Sequence, residues 1–193
     1  MITPLVRFSY LNVFEAKPDP QGTLKFSVSI LIPKEDTEGL KSLQAAINIA
    51  VQKGLDVNKF TQAQVKALRL PLRDGDEEFE AGNRGAEYKG CFFFNASSKN
   101  KPGVVKAQAD SAPVPIFDPD DFFSGCYGRV DINFFPYNQA GNRGIGTGLN
   151  NIMMVREGER LDGRQKAEDA FATYTEEKTD NVAAADPASD DLE

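Results

Sequence analysis

Two apolar stripes with a period of two residues, separated by a turn, dominate the first 32 residues of the chain. Apolar residues occupy every second position from Val6 to Tyr10 and again from Leu24 to Ile32. The segment between them, residues 17–22, contains two prolines, an aspartate and a glycine, which favour a turn. Alternation of this kind is typical of strands that bury one face. The sequence therefore predicts an antiparallel hairpin at the start of a β-rich fold.

A helical pattern follows the hairpin. Asp36 or Thr37 is suited to cap a helix, and apolar residues recur at helical spacing from Leu40 to Val51. Gly54 is predicted to end this helix, because glycine is favoured just beyond a helix terminus. The sequence thus predicts one substantial helix after the second strand.

The rest of the chain predicts mostly strands and loops. A capping-box pattern at residues 61–64 predicts a shorter helix, and the polar, acidic residues 71–87 predict a loop. Asp162 is predicted to cap a short helix that runs to Phe171. The predicted late strands are residues 88–97, 104–106, 126–137 and 150–156, with a hairpin turn at 99–103 and a flexible glycine-rich connection at 141–148.

This order of elements indicates the fold class. About five strands, one helix inserted between the early and late strands, and no alternation of strands with helices predict a mainly β (α+β) fold. We expect an OB-type five-stranded barrel with a helical insertion over residues 1–175, followed by a disordered acidic tail over residues 176–193. The strand count alone is also compatible with a β-sandwich.

The predicted tail carries most of the net charge. It holds seven acidic residues against one basic residue, a net of −6, so about −1 of the chain's −7 is left for residues 1–175. Such a charged segment cannot bury enough apolar surface to fold. Two uses are open: a tail that mimics a nucleic-acid backbone and recruits replication or recombination proteins, or a solubilising tail. The candidate partner-binding residues at its tip are Asp190, Asp191, Leu192 and Glu193.

Composition excludes several kinds of chemistry. The chain contains no histidine, so catalytic triads and zinc–histidine sites are excluded. Two cysteines, Cys91 and Cys126, suit small core residues of a cytoplasmic protein, and no apolar run is long enough for a membrane span. We expect no cofactor, no resident metal and no catalytic residue. A magnesium site at Asp118, Asp120 and Asp121 is the weaker alternative.

Aromatic and basic residues lie on strand faces that should meet solvent. In the strand 126–137, Tyr127, Arg129 and Tyr137 alternate with the apolar residues. Exposed aromatic rings next to cations are typical of proteins that bind single-stranded nucleic acids, because bases stack on the rings while cations neutralise phosphates. The same argument selects Arg7, Lys25, Lys89 and Phe93 on other strands. Further candidates are three lysines clustered at a predicted hairpin, Lys99, Lys101 and Lys106, and Arg143 in the glycine-rich segment, where it could contact phosphates.

Five segments together resemble a family of single-stranded DNA-binding proteins of tailed bacteriophages, long catalogued as a domain of unknown function. The matching segments are residues 7–14, 26–34, 89–98, 125–130 and 167–171, and the resemblance spans most of residues 1–171. It implies an OB-type fold with a helical insertion, sequence-tolerant binding of single-stranded DNA, and a role in phage replication or recombination in the host cytoplasm.

These observations favour a protein that binds without catalysis and coats single-stranded DNA. Two alternatives are open: a structural or assembly protein of a phage that uses the β-body for protein contacts, and a nuclease built on the three aspartates. Whether copies form a homo-oligomer on DNA is not determined by the sequence, and no membrane partner is expected.

Overall fold

A computed structural model describes residues 1–139, 141–161 and 163. Within them, the strands are β1 Val6–Pro18, β2 Leu24–Pro33, β3 Arg73–Asp74, β4 Cys91–Ser98, β5 Gly103–Gln108, β6 Ser111–Pro115, β7 Tyr127–Gln139 and β8 Asn142–Arg156. The helices are α1 Thr37–Asp56, α2 Gly75–Glu80 and the 3₁₀ helices Gln62–Ala67, Ala86–Tyr88 and Pro119–Asp121. In this part of the chain, no helix has the length and apolar character needed to cross a membrane.

Three predictions lie outside the described residues. They are the helix from Asp162 to Phe171, the domain boundary at residue 175 and the acidic tail over residues 176–193.

Five of the strands close into a barrel. The sheet order is β3-β4-β2-β1-β7-β8-β5-β6, and an additional pairing of β4 with β8 closes the ring β1-β2-β4-β8-β7. The closing contact is parallel and places Ser97 beside Gly148, whereas the other pairs of the ring are antiparallel. Closure removes the free edges of these strands. The predicted OB-type five-stranded barrel is confirmed, and α1 is its insertion between β2 and β4.

The predicted first hairpin is also confirmed. Phe8 of β1 pairs with Ile30 of β2, and both side chains are fully buried in the barrel core. The carboxylate of Asp19 holds the turn by accepting hydrogen bonds from the N–H groups of Gln21 and Thr23, at 3.0 and 2.9 Å. The inner face of β7 is apolar as predicted, and the buried residues at this face are Cys126, Gly128, Val130 and Ile132.

Helix α1 begins at its predicted cap but does not end at its predicted stop. The Asp36 carboxylate accepts a hydrogen bond from the N–H of Gly39 at 2.9 Å. The helix passes through Gly54 and ends at Asp56, so the prediction that Gly54 terminates it is wrong. A Cβ at Gly54 would lie 2.7 Å from Cε1 of Phe60. Glycine is therefore required here by close packing rather than by a helix end.

The segment 71–87 is not the predicted loop, because it contains β3, α2 and the start of a 3₁₀ helix. The Lys34 ammonium donates hydrogen bonds to the carboxylates of Asp74 and Asp76, each at 2.7 Å. These hydrogen bonds lower the pKa of both acids and raise the pKa of Lys34. Asp74 also caps α2 by accepting from the N–H of Asp76 at 2.9 Å. A lysine 40 residues earlier in the chain thus anchors a segment that looks unstructured in sequence.

The glycine-rich segment 141–148 is likewise structured, since Asn142 begins β8 and the prediction of a flexible connection is wrong. Gly146 pairs with Phe135 of β7, and Gly144 pairs with Tyr137. A Cβ at Gly146 would lie 2.7 Å from the Phe135 ring. The glycines make room for aromatic side chains of the neighbouring strand, so here they stabilise a strand pair.

The predicted hairpin at residues 99–103 is wrong as well. β4 and β5 do not pair with each other; both run parallel to β8, with Gly103 beside Asn151. The actual hairpin joins β5 to β6, which is the last strand of the sheet. The N–H of Ile116 donates to the carbonyl of Val104 at 3.0 Å. Because backbone groups alternate in direction along a strand, residues 113 and 115 face the open edge, and both are prolines without an N–H.

Candidate nucleic-acid interface

A line of arginine and apolar side chains crosses the outer face of the barrel. Strand pairing places its members side by side, and in order from β8 to β3 they are Arg156, Tyr127, Arg7, Leu31, Phe93 and Arg73. Residues directly opposite each other on antiparallel strands share one face of the sheet. We call these six residues the arginine–aromatic row.

Two guanidinium groups of the row approach the ring of Tyr127. Cζ of Arg156 lies 3.6 Å from the ring centroid and Cζ of Arg7 lies 5.6 Å from it, both within the range of cation–π attraction. Arg7 is oriented by neutral acceptors, because its Nε and Nη2 donate to the carbonyls of Gly125 and Glu159 at 3.3 and 3.1 Å. Among the described residues, neither arginine forms an ion pair. Within this part of the chain, both positive charges are therefore uncompensated.

The other end of the row is covered. Phe93 is fully buried, with its ring 4.8 Å from that of Tyr88 and the guanidinium of Arg73 at 4.4 Å. The hydroxyl of Tyr88 donates to Oγ of Ser29 at 2.9 Å. The prediction that Phe93 presents its ring to solvent is wrong, because the segment around β3 and Tyr88 packs over it.

An exposed tyrosine lies beside this covered end. Tyr10 has a positive φ of 46° within a β-bulge of β1, where the register shifts between Ser9 and Asn12. Its side chain is 53% exposed. The guanidinium of Arg84 lies 5.2 Å from the Tyr10 ring and 5.5 Å from the Phe93 ring, which links Tyr10 to the row. Bulges re-aim side chains, and backbone strain of this kind clusters at binding sites.

Among the other predicted cations, only Arg129 lies next to the row. It is exposed on the same face of β7, two residues after Tyr127, and its Nη1 donates to the carbonyl of Thr3 at 3.1 Å. Lys106 pairs with Met154, a buried residue of the inner face, so it lies on the opposite face of the sheet from the row. Lys99 and Lys101 are exposed in the turn between β4 and β5.

Two predicted lysines interact within the protein. Lys25 forms an ion pair with Asp19 at 2.7 Å, and this hydrogen bond lowers the pKa of the Asp19 carboxyl. The ammonium of Lys89 lies 4.2 Å from the centroid of the Phe79 ring. Lys25 is thus partly neutralised by an acid, whereas Lys89 packs against an aromatic ring.

The structure places the last two predicted residues, Tyr137 and Arg143, at the other end of β7 and β8. Tyr137 lies ten positions after Tyr127, which at ~3.3 Å per residue is about 33 Å along the strand. Arg143 pairs with Asn138 near the turn between the two strands. They are therefore not part of the row.

Sequence analysis missed four arginine and tyrosine residues at this face: Tyr10, Arg73, Arg84 and Arg156. Arg156 could have been predicted from the sequence, since aligning the predicted strands 126–137 and 150–156 as a hairpin brings it beside Tyr127. Tyr10 could not have been predicted, because no local pattern in the sequence marks the bulge.

The acidic residues show no metal site in the described ranges: no group of three or more His, Cys, Asp or Glu side chains is arranged to hold an ion. The carboxylate of Asp118 accepts a hydrogen bond from the N–H of Asp120 at 2.9 Å and caps the 3₁₀ helix Pro119–Asp121. Asp118 therefore has a structural role. The candidate tail residues Asp190, Asp191, Leu192 and Glu193 lie outside the described residues.

Known proteins share this fold. The single-stranded DNA-binding protein from bacteriophage Enc34, solved in complex with single-stranded DNA, matches with a TM-score of 0.65 at 18% identity, over 83% of this chain and 88% of that one. Gp2.5, a single-stranded DNA-binding protein encoded by bacteriophage T7, matches with a TM-score of 0.53 at 16% identity, over 96% and 98% of the two chains. These likenesses show the fold.

Sequence comparison also finds related phage proteins. Protein p50 of Acyrthosiphon pisum secondary endosymbiont phage 1 is 27% identical over 163 residues, which cover 82% of this chain and 84% of that protein. A family model described as the single-stranded DNA-binding protein of Enterobacter phage Enc34 matches residues 1–182. With nearly the whole sequence matched, the chain belongs to the Enc34 family of phage single-stranded DNA-binding proteins.

Proposed function

We propose that the chain binds single-stranded DNA without base preference through the arginine–aromatic row, and coats it during phage replication or recombination. The role is binding without catalysis. Family membership supports the ligand, and the row supports the location, because OB folds bind single strands on the outer face of the sheet by stacking and phosphate neutralisation.

The observation that carries the location is the group around Tyr127. Among the described residues, Arg7 and Arg156 lie beside an aromatic ring without an acidic partner, so their positive charges can attract phosphates. Guanidinium planes also stack on bases, so an arginine held against a tyrosine presents a stacking surface of its own. The exposed ring of Tyr10 offers a second stacking surface 5.2 Å from Arg84. None of these contacts selects a base, which agrees with sequence-tolerant binding.

The test is fluorescence anisotropy of a labelled oligo-dT across a salt series, with and without magnesium. Arg156→Gln should weaken binding and flatten the dependence of log K on log salt by about 0.7, the value for one phosphate contact on a single strand. Lys53→Gln is the matched control, since this exposed lysine lies in the last turn of α1. If Arg156→Gln binds oligo-dT like the wild type, the DNA interface does not include the arginine–aromatic row. No binding by the wild-type chain would favour the structural or assembly role, and cleavage with magnesium would favour the nuclease.

The acidic segment 176–193 is proposed to compete with DNA for the row and to recruit replication or recombination proteins through Asp190, Asp191, Leu192 and Glu193. Its net charge of −6 supports this, since it can substitute for phosphates near uncompensated arginines. A chain that ends at Thr175 should bind oligo-dT more tightly at low salt. Equal affinity of the two chains would leave the segment to partner recruitment alone.

A further inference from the structure

We infer that copies of the chain bound in succession on one DNA strand contact each other head to tail, through a basic surface on one copy and an acidic surface on the next. The basic surface consists of three exposed lysines at the β4–β5 turn and on β5: Lys99, Lys101 and Lys106. The acidic surface is the segment 74–89, with Glu77 and Glu80 of α2 exposed. The inference rests on the proposed function, because the DNA strand brings the copies together.

The basic surface contains no acid of its own. Residues 99–106 hold three lysines and no acidic residue. None of these lysines forms an ion pair within the ranges that the structure describes. Lys106 faces away from the arginine–aromatic row, because it pairs with the buried Met154 and shares its face of the sheet. The basic surface therefore suits an acidic partner other than DNA on the row.

The acidic surface is anchored to the barrel and keeps an excess of negative charge. Residues 74–89 contain six acids against two bases, a net of −4. Lys34 pairs with two of these acids and Arg73 with a third, and these bonds fix α2 in place. Glu77 and Glu80 are exposed and form no ion pair with any described residue. A partner thus meets two carboxylates on an anchored helix.

The two surfaces lie at the two ends of the row. At one end, Arg156 lies two residues beyond Met154, the partner of Lys106 on β5. At the other end, Arg73 is followed directly by Asp74, the first residue of the acidic segment. A DNA strand that follows the row therefore runs from one surface to the other. Copies bound with the same polarity bring the basic surface of one copy next to the acidic surface of its neighbour.

Charge complementarity favours a second copy in this orientation. Copies of opposite polarity would bring two basic or two acidic surfaces together, and like charges across an interface repel. A head-to-tail contact leaves one surface of each kind at the ends of the array, so further copies can be added along the strand. Exposed ion pairs contribute little singly. The contact should therefore be weak in free protein and effective on DNA, where the neighbour is held at high effective concentration.

The experiment measures binding to oligo-dT of roughly 8 and roughly 48 nucleotides, which hold about one copy and several copies of an OB fold. The ratio of the two affinities reports the contact, because binding of a single copy contributes to both. The basic-surface variant is Lys101→Glu/Lys106→Glu, and the acidic-surface variant is Glu77→Lys/Glu80→Lys. The combined variant carries all four substitutions and keeps the formal net charge of −7. Thermal unfolding checks that each variant is folded.

Each single-surface variant should lower the affinity ratio by roughly 2- to 30-fold, the change expected for the loss of two exposed ion pairs. The combined variant should restore the ratio, because opposite charges again face each other. Lys53→Glu/Lys66→Glu is the matched control for the basic-surface variant, since both lysines are exposed on other elements. This control should leave the ratio unchanged.

The outcomes separate the contact from the main proposal. A wild type that binds both oligonucleotides as independent copies would overturn the contact and leave the proposed function intact. A wild type that binds neither would reject the proposed function itself. A ratio that falls in the basic-surface variant and is not restored in the combined variant would assign these lysines to another anionic partner, either the segment 176–193 or the DNA. That result would also overturn the contact between copies.

Discussion

Replacing Tyr127 by alanine should weaken DNA binding without changing its dependence on salt. The ring lies 3.6 Å from the guanidinium of Arg156 and 5.6 Å from that of Arg7, so its loss removes a stacking surface and the support of two arginines. Aromatic–base stacking contributes about 1–3 kcal/mol per base. The expected rise in Kd is therefore roughly 5- to 150-fold. Tyrosine is neutral, so the number of neutralised phosphates, and with it the salt slope, should stay the same.

The assay is anisotropy of labelled oligo-dT at four or more salt concentrations, with thermal unfolding as a check that the barrel is intact. Tyr127→Phe is the matched control, since it keeps the ring and should bind like the wild type. Affinity within twofold of the wild type for a folded Tyr127→Ala variant would refute the reasoning. So would equal losses from alanine and phenylalanine, because the hydroxyl rather than the ring would then make the contact.

Two further predictions concern the fold. The pKa values of Asp74 and Asp76 are lowered by hydrogen bonds from Lys34, so these bonds stabilise the fold above the usual carboxyl value of 3.8 and are lost as the pH falls through the lowered pKa values. Lys34→Met should reduce the difference in urea midpoint between pH 7 and pH 3, and an unchanged difference would contradict the assignment. Replacing Pro113 and Pro115 by valine restores N–H donors to the open edge of β6, so light scattering should show self-association above that of the wild type; equal mass would indicate that the edge is protected by other means.

The elements predicted correctly are those whose causes lie within a few residues of each other. The β1–β2 hairpin follows from a period of two and a turn held by Asp19, and α1 follows from helical spacing and its cap Asp36. The residues that determine each of these elements lie within the element or directly beside it in the sequence. The barrel then follows from the number and order of the strands.

The wrong predictions concern segments whose structure depends on residues far away in the chain. The sequence around Gly146 predicts a flexible segment, but Gly146 pairs with Phe135 of the neighbouring strand and leaves space for its ring. The acidic segment that contains α2 is predicted as a loop, but hydrogen bonds from Lys34 to its carboxylates stabilise it. In β4, Phe93 and Phe94 point to opposite faces and are both buried, because a covering segment adds a second small core outside the barrel. An alternating pattern cannot reveal a face that another part of the same chain covers.

The candidate site shows the same limit for charge. A formal net charge of −7 argues against binding DNA, yet the ion pairs decide which charges remain available. Lys34 forms ion pairs with two aspartates and Lys25 with one. Arg7 donates hydrogen bonds to neutral carbonyls, and Arg156 contacts an aromatic ring. Screening confines the effect of distant acids, because the Debye length is about 8 Å at physiological ionic strength. A DNA strand bound at the proposed face would therefore interact mainly with the arginines that have no ion pair among the described residues. The total charge of the chain would affect this strand only where acidic residues come within that distance.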